Sequence, residues 1–248
     1  ESEREGRVAL RTVQGVVEQA VRGVCRERVE LIGASRTDSG VHARGQVAAF
    51  STIPDGMGTG WPSERGADRL MAAVNSRLPD DVTVLAASEV AIGFNPIGDA
   101  ARKMYSYTFC VGPVRPIWTR RTVNWLARGT LDVAAMNEAG AALVGEHDFA
   151  AFAAAGHGRL STVRTVYSLG VSELERSADG NAVVRMEIVG NGFLWKMVRI
   201  IAGTLMHVGL NQKSAGMVKE ALTSLDRSKA GITAPPQGLC LERIWYPE

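Results

Sequence analysis

Two side chains of opposite charge lie in segments where their presence could support chemistry. Asp38 lies in the turn-forming string GASRTDSG, between two segments typical of strands. Arg199 lies in GFLWKMVRIIAGTLMHVG, which is apolar almost all round and predicts a buried helix. A carboxylate at the end of a strand can act as a nucleophile or base. A buried arginine needs a carboxylate partner, and the functional interpretation is that this partner is a catalytic carboxylate whose pKa Arg199 lowers.

Each of these residues also has a purely structural interpretation. An Asp in a turn rich in Gly and Ser commonly accepts hydrogen bonds from nearby backbone N–H groups. A buried arginine can form a salt bridge with any acid. Helical spacing places Lys196, Arg199 and Gly203 on one face. The residues alone therefore leave catalytic and structural roles open.

The string RKMYSYTF at residues 102–109 contains a third candidate site. Strand alternation places Lys103, Tyr105 and Tyr107 on one face, which is typical of a core. Alternatively, Tyr105 stacks on a nucleic-acid base while Lys103 contacts a phosphate. Residues 99–128 hold six basic residues and one acidic residue, a net charge of +5. Such a strip is either a solvated face or a surface that attracts a polyanion.

Composition and motif content exclude several classes of protein. With 248 residues, 46% hydrophobic and 22% charged, the chain is typical of globular proteins, and its formal net charge is only +2. No apolar run reaches the roughly 18 residues that a membrane span needs. The three cysteines form no C-x-x-C motif, which favours a reducing compartment. The four histidines, His157 among them, lack metal-ligand spacing, and no P-loop is present, so neither a metal nor a nucleotide cofactor is predicted.

Hydrophobic periodicity and turn signals predict a mixture of helices and strands. The predicted helices cover residues 11–24, 67–77, 132–144, 194–209 and 214–224. The predicted strands cover residues 29–34, 41–50, 82–90, 103–111, 163–173, 181–190 and 241–246. Residues 51–66 are rich in Gly, Pro and Ser and are predicted to be a loop. Hairpin-like neighbours favour an α+β fold over a doubly wound one.

Six segments, in order, resemble the TruA-type tRNA pseudouridine synthase family. They are GASRTDSGVHARGQVAAF (33–50), NSRLPDDVTV (75–84), RKMYSYTF (102–109), GEHDFAAF (145–152), GNGFLWKMVRIIAGTLMHVG (190–209) and TAPPQGLCLERIWY (233–246). The resemblance covers most of the chain, and the string R-T-D-x-G-V-H-A is highly specific. It reverses the structural interpretation of Asp38 and Tyr105 considered alone.

The resemblance implies an α+β fold of two ferredoxin-like halves, with mainly antiparallel sheets joined around a central catalytic cleft. The expected halves are residues 1–111 and 112–248. The family's opening strand is absent from this sequence, so the N-terminal half is expected to lack its first strand.

The resemblance also implies roles for individual residues, without a metal or organic cofactor. Asp38 matches the catalytic nucleophile, and Arg199 matches the arginine that pairs with it. Tyr105 matches the tyrosine that stacks on the target base and handles a proton. The remaining expected substrate-binding residues are Leu239 on the other side of the base, Arg36 in nucleotide flipping, and Lys103 and Lys196.

The implied activity is the isomerisation of uridine to pseudouridine in tRNA, in or near the anticodon stem-loop around tRNA positions 38–40. The expected partner is tRNA, with a homodimer left open and no membrane. The expected compartment is the cytoplasm for a bacterial protein and the nucleus or an organelle for a eukaryotic one. Two alternatives remain from the residues: a non-catalytic module for tRNA binding or RNA folding, and an acid-catalysed small-molecule enzyme with a basic substrate funnel.

Overall fold

The computed structural model describes residues 11–53, 59–156 and 160–247, so His157 and part of the predicted loop at 51–66 lie outside the described residues. The chain divides into two compact units. The first comprises Glu1–Ser35 and Val47–Asp99, and the second comprises Arg36–Gln46 and Ala100–Glu248. No helix in the described ranges is both long enough and apolar enough to cross a membrane.

The helices and strands follow the chain in a mixed order. The helices are α1 (Val13–Cys25), α2 (Ala67–Asn75), α3 (Val133–Ala141), α4 (Met197–Gly209) and α5 (Gly216–Ser224). The strands are β1 (Ile32–Gly33), β2 (His42–Ala43), β3 (Ala48–Ala49), β4 (Arg102–Val111), β5 (Asn124–Leu126), β6 (Gly145–Asp148), β7 (Val163–Arg176), β8 (Ala182–Gly190) and β9 (Leu239–Trp245). All five predicted helices are confirmed, with their ends moved by a few residues, whereas β5 and β6 were not predicted.

The first unit packs α1 and α2 around a small apolar core. Val21 and Cys25 of α1 and Val74 of α2 are almost completely buried in it. Thr12 caps α1, because its hydroxyl accepts a hydrogen bond from the Gly15 N–H at 3.1 Å. Strands β1 and β3 pair as a short antiparallel ladder. The predicted strand at 29–34 therefore shortens to two residues.

The predicted strand at residues 82–90 is wrong. The backbone N–H and C=O of Val84 both bond to the side-chain amide of Asn75, each at 2.8 Å. A side chain at the end of α2 therefore satisfies groups that a neighbouring strand would otherwise pair. No strand is assigned between residues 82 and 90 of the structure.

The second unit is built on one large sheet with the strand order β2-β9-β4-β8-β7-β6, and β5 pairs with the end of β4. The β9–β4, β4–β8, β8–β7 and β7–β6 pairs are antiparallel, and the β2–β9 and β4–β5 pairs are parallel. Helix α3 packs on β7 and on α4, and α4 packs against β4. The core of the second unit includes four side chains of the sheet that are 0% exposed: Tyr107, Phe109, Met186 and Ile188.

The predicted strand at residues 41–50 is divided into β2, in the second unit, and β3, in the first. The break follows from a close approach at Gly45. The N–H groups of Arg44 and Gly45 both donate to the carbonyl of Leu241, at 2.8 and 3.2 Å. A Cβ at Gly45 would lie 2.9 Å from the Cα of Arg243, so only glycine fits against β9 here.

The α+β class and the mainly antiparallel sheet are confirmed. Both sides of the boundary expected after residue 111 fall within the second compact unit. The organisation as two ferredoxin-like halves stays a prediction.

An extended segment, residues 231–235, runs along α4. Hydrogen bonds hold it there, and glycines on both sides allow the close approach. The Gly231 N–H donates to the Thr204 hydroxyl at 2.8 Å, and the Ala234 N–H donates to the Arg199 carbonyl at 3.1 Å. A Cβ at Gly203 would overlap the carbonyl oxygen of Ile232. The absence of a side chain at Gly203 therefore lets this segment approach the helix.

We predict that Gly203→Ala destabilises the protein by about 1–3 kcal/mol through overpacking, even though alanine gains about 1 kcal/mol in helix propensity. Urea unfolding measures the change from the midpoint at constant slope. Gly170→Ala is the matched control, since nothing lies within 4 Å of a Cβ at that position. Equal stability of the two variants would contradict the proposed close approach.

Candidate active site

Asp38 lies in a tight turn that leads into β2. The Val41 N–H donates to the Asp38 carbonyl at 3.0 Å, and Gly40 has a φ of +81°, as the third residue of a type II turn requires. His42 then pairs with Cys240 in β9. The turn is therefore tied to the sheet four residues after the carboxylate.

Both oxygens of the Asp38 carboxylate accept a hydrogen bond from a side chain near the start of α4. Arg199 Nη1 donates to Oδ2 at 2.8 Å, and Trp195 Nε1 donates to Oδ1 at 3.0 Å. The Arg199 side chain is 12% exposed and that of Asp38 is 32% exposed. Arg199 is therefore largely withdrawn from solvent, whereas the Asp38 carboxylate keeps an accessible edge. The pairing of Asp38 with Arg199, which the family resemblance implies, is present in the structure.

Arg199 is itself held in place by a second contact. Its Nε donates to the Ala234 carbonyl at 2.8 Å, from the segment 231–235 that packs on α4. A guanidinium fixed at Nε and Nη1 has little rotational freedom, because its donors form a rigid planar fork. The orientation of Asp38 therefore depends on the packing of residues 231–235 against α4.

Trp195 is a site residue that sequence reasoning missed. Its carbonyl accepts the Ala154 N–H at 3.1 Å, and the residue remains 45% exposed. The Lys196 ammonium lies 4.4 Å from the centre of the indole ring, within cation–π range. Trp195 precedes Arg199 by four residues, the spacing of one helical face, but α4 begins only at Met197, so that spacing does not explain the contact.

Lys196 does not lie on a helical face with Arg199, contrary to the predicted helix over 194–209. Its φ of 60° and ψ of 7° are left-handed, and α4 begins only at Met197. The Met197 N–H donates to the Leu194 carbonyl at 3.0 Å, which closes a turn before the helix. Lys196 therefore reaches the site through its contact with Trp195.

Tyr105 and Leu239 lie on neighbouring strands and share one face of the sheet. Tyr105 is opposite Leu241, and Leu239 is opposite Tyr107. Tyr105 and Leu239 are each 7% exposed, and Tyr105 packs edge-on against Phe193 at 5.3 Å between ring centres. The structure thus brings the predicted aromatic and aliphatic residues to one surface.

Two of the predicted basic residues lie in different settings. Lys103 is in β4, opposite Gly190 and Ile244, and is partly buried. Arg36 is exposed, two residues before Asp38 in the loop before β2.

Tyr107, on the same face as Tyr105, has a structural environment. It is fully buried, and its hydroxyl donates to the Pro235 carbonyl at 2.8 Å. Burial raises the pKa of Tyr107 well above its usual value, so the phenol stays protonated at neutral pH. Its hydrogen bond anchors the residue that follows Ala234.

The sequence is closely similar to those of proteins named tRNA pseudouridine synthase A. It is 45% identical over 238 residues to the one from Thermoanaerobacter pseudethanolicus, covering 95% of this chain and 90% of the relative. It is 42% identical over 235 residues to the one from Geotalea uraniireducens, with the same coverage. A family model described as tRNA pseudouridine synthase matches residues 139–247.

The chain belongs to the tRNA pseudouridine synthase A family. The resemblance inferred from the sequence motifs is therefore confirmed. The part of this family member that the structure describes contains no group of three or more His, Cys, Asp or Glu side chains able to hold a metal ion. The pair formed by Asp38 and Arg199, with Trp195 beside it, is the candidate active site.

We predict that Asp38 and Arg199 are energetically coupled. In a double-mutant cycle with Asp38→Ala and Arg199→Met, the coupling free energy of unfolding should be about 1–3 kcal/mol, because Asp38→Ala leaves the largely buried Arg199 guanidinium without its carboxylate. Chemical unfolding of the four proteins measures it.

The matched control is the pair of Glu173 and Arg176, in which the carboxylate is 33% exposed, much as Asp38 is, but the arginine is 58% exposed. Its coupling should be about 0.5 kcal/mol or less and should disappear in concentrated salt. Additive effects at Asp38 and Arg199 would contradict the geometry of the site.

Proposed function

We propose that this chain isomerises uridine to pseudouridine in tRNA, with Asp38 as the catalytic carboxylate. The observation that supports this most strongly is the carboxylate held through both oxygens by Arg199 and Trp195, in a chain that belongs to this family. A non-catalytic RNA-binding module has no need of such a group. A small-molecule enzyme has no support from relatives named for tRNA.

The reaction needs an ionised nucleophile and an enclosed base, and no co-reactant. The bond between C1′ and N1 breaks and N1 takes a proton. The uracil is reoriented, C1′ bonds to C5, and C5 releases its proton. Product and substrate therefore have the same composition.

Arg199 and Trp195 orient the Asp38 carboxylate. Each of its two oxygens accepts one hydrogen bond, and the bond from the guanidinium is charge-assisted. A carboxylate has about four lone-pair sites, and these two donors occupy two of them. The remaining lone pairs are available for attack while the group is held still.

The target base is bound between Tyr105 and Leu239. The base must leave its stack to reach a carboxylate, as in other enzymes that modify bases. An aromatic ring and an aliphatic side chain then provide apolar surfaces for a detached uracil. Arg36 assists flipping of the nucleotide from its exposed position beside Asp38, and Lys103 and Lys196 contribute positive charge toward the phosphates.

The proposal extends to the substrate region and the setting of the protein. The modified uridines lie in or near the anticodon stem-loop, around tRNA positions 38–40. The relatives described above are bacterial, which supports action in a bacterial cytoplasm. The assembly is either a monomer or a homodimer.

We predict that Asp38→Ala and Asp38→Asn abolish pseudouridine formation, because neither variant presents a carboxylate. Mapping of pseudouridine in an unmodified tRNA transcript after incubation with each purified protein measures this. The affinity for tRNA should stay within about threefold of the wild type, since one carboxylate adds little to binding of a polyanion. Turnover by Asp38→Ala would refute the assignment.

We predict that Trp195→Phe lowers kcat about tenfold and leaves KM within twofold. Phenylalanine keeps an aromatic ring but removes the donor to Asp38, and a hydrogen bond to a charged group contributes about 1.5 kcal/mol or more. Trp125→Phe is the matched control, because it removes an indole N–H bond of equal length, 3.0 Å, to the Gly112 carbonyl. Equal kcat values for the two variants would rule out the role of Trp195.

A further inference from the structure

A turn at residues 114–122 presents a tryptophan to solvent among arginines. Trp118 is 92% exposed, and Arg120 and Arg121 on the same turn are also exposed. No acidic residue occurs between positions 114 and 131. We call Trp118, Arg120 and Arg121 the Trp118 surface. A tryptophan is among the residues that folding normally buries in large part, so this exposure calls for a function.

The exposure of Trp118 is built into a hydrogen-bonded turn. The Thr122 N–H and hydroxyl both bond to the Thr119 carbonyl, at 2.8 and 3.1 Å. The Arg120 guanidinium donates to the Ile117 carbonyl through Nη1, which leaves its other N–H groups for a further partner. The turn therefore holds an aromatic ring and cationic groups outward.

This turn is connected to the loop that contains Asp38. The His42 Nε2–H donates to the Arg121 carbonyl at 2.6 Å, and His42 follows Asp38 by four residues. Four residues span at most about 14 Å, and the three residues from Arg121 to Trp118 add at most about 11 Å. A nucleic-acid strand advances about 3.4 Å per nucleotide, so these two stretches together correspond to about seven nucleotides. The Trp118 surface is thus within reach of nucleotides that flank a uridine bound at Asp38.

The chemistry of this surface fits RNA better than a second copy of the chain. Tryptophan and arginine both stack on unpaired bases, and arginine also binds phosphate. In a symmetric dimer the same patch occurs on both partners. Such an interface centred here would bring arginines together with no acidic residue of this segment to offset them, which is unfavourable.

We propose that the Trp118 surface binds the tRNA strand beside the target uridine. Trp118 stacks on an unpaired base, and Arg120 and Arg121 contact neighbouring phosphates. The proposal rests on the proposed function and specifies which part of the substrate this surface contacts.

The test measures the Kd for an unmodified tRNA transcript and for its isolated anticodon stem-loop over a range of salt concentrations. Trp118→Ala should raise the Kd about tenfold on both RNAs, and Trp118→Phe should restore most of the loss. Arg120→Ala with Arg121→Ala should lower the slope of log Kd against log salt by about 1.4, the value for two single-strand phosphate contacts. At saturating tRNA, kcat should remain within twofold of the wild type.

Matched controls are Leu174→Ala, at an apolar residue that is 51% exposed, and Arg176→Ala, at an exposed arginine. Neither should change the Kd by more than twofold. If Trp118→Ala leaves the Kd unchanged while the wild type forms pseudouridine, the assignment of the Trp118 surface to tRNA binding is wrong and the proposed function stands.

Two other results would also overturn the assignment of this surface. An effect on full tRNA that disappears on the stem-loop would place the contact far from the target uridine. A change in molecular mass by light scattering, without a change in Kd, would assign the surface to contact between copies of the chain. If the wild type forms no pseudouridine, the proposed function fails instead.

Discussion

The ion pair between Asp38 and Arg199 is the interaction on which the organisation of the second unit depends. Helix α4 is buried along nearly all its length, and a guanidinium in such a helix is stable only when its charge is compensated. Asp38 provides the compensating charge, and the Ala234 carbonyl accepts a second N–H. The contacts that compensate the charge of Arg199 in the core therefore also fix the orientation of the Asp38 carboxylate.

The pair is positioned by packing that lies outside it. Gly203 leaves the space in which residues 231–235 approach α4. A Cβ added at Gly231 would lie only 2.6 Å from the Thr204 Cα, so the absence of a side chain is needed there too. This segment then presents the Ala234 carbonyl to Arg199 and the Pro235 carbonyl to Tyr107. Each of these two carbonyls needs a hydrogen-bond donor, and the donors are the side chains of Arg199 and Tyr107. Geometry at Asp38 is therefore a consequence of backbone packing between a helix and an extended segment.

Much of this arrangement could be predicted from the sequence, and the exceptions have physical causes. Periodicity located the helices because their apolar faces are buried, and a charge in a buried helix indicated that Arg199 needs a partner. The prediction of a strand at 82–90 was wrong because the Asn75 side chain bonds to the backbone of Val84. The predicted strand at 41–50 is interrupted because Gly45 packs directly on β9. Neither contact has a periodic signature.

Trp195 was overlooked for a different reason, since a tryptophan in an apolar string is ordinarily a core residue. What distinguishes it is the backbone at Lys196, whose left-handed conformation costs about 1–2 kcal/mol in a residue with a side chain. That conformation separates Trp195 from the regular part of α4, and the Lys196 ammonium lies against the indole ring. Strain of this kind persists only where surrounding contacts hold the backbone in place. Here the Leu194 and Trp195 carbonyls each accept a backbone N–H, and the Trp195 indole N–H donates to Asp38. The chain thus accepts a local loss of stability beside the one carboxylate whose orientation matters most.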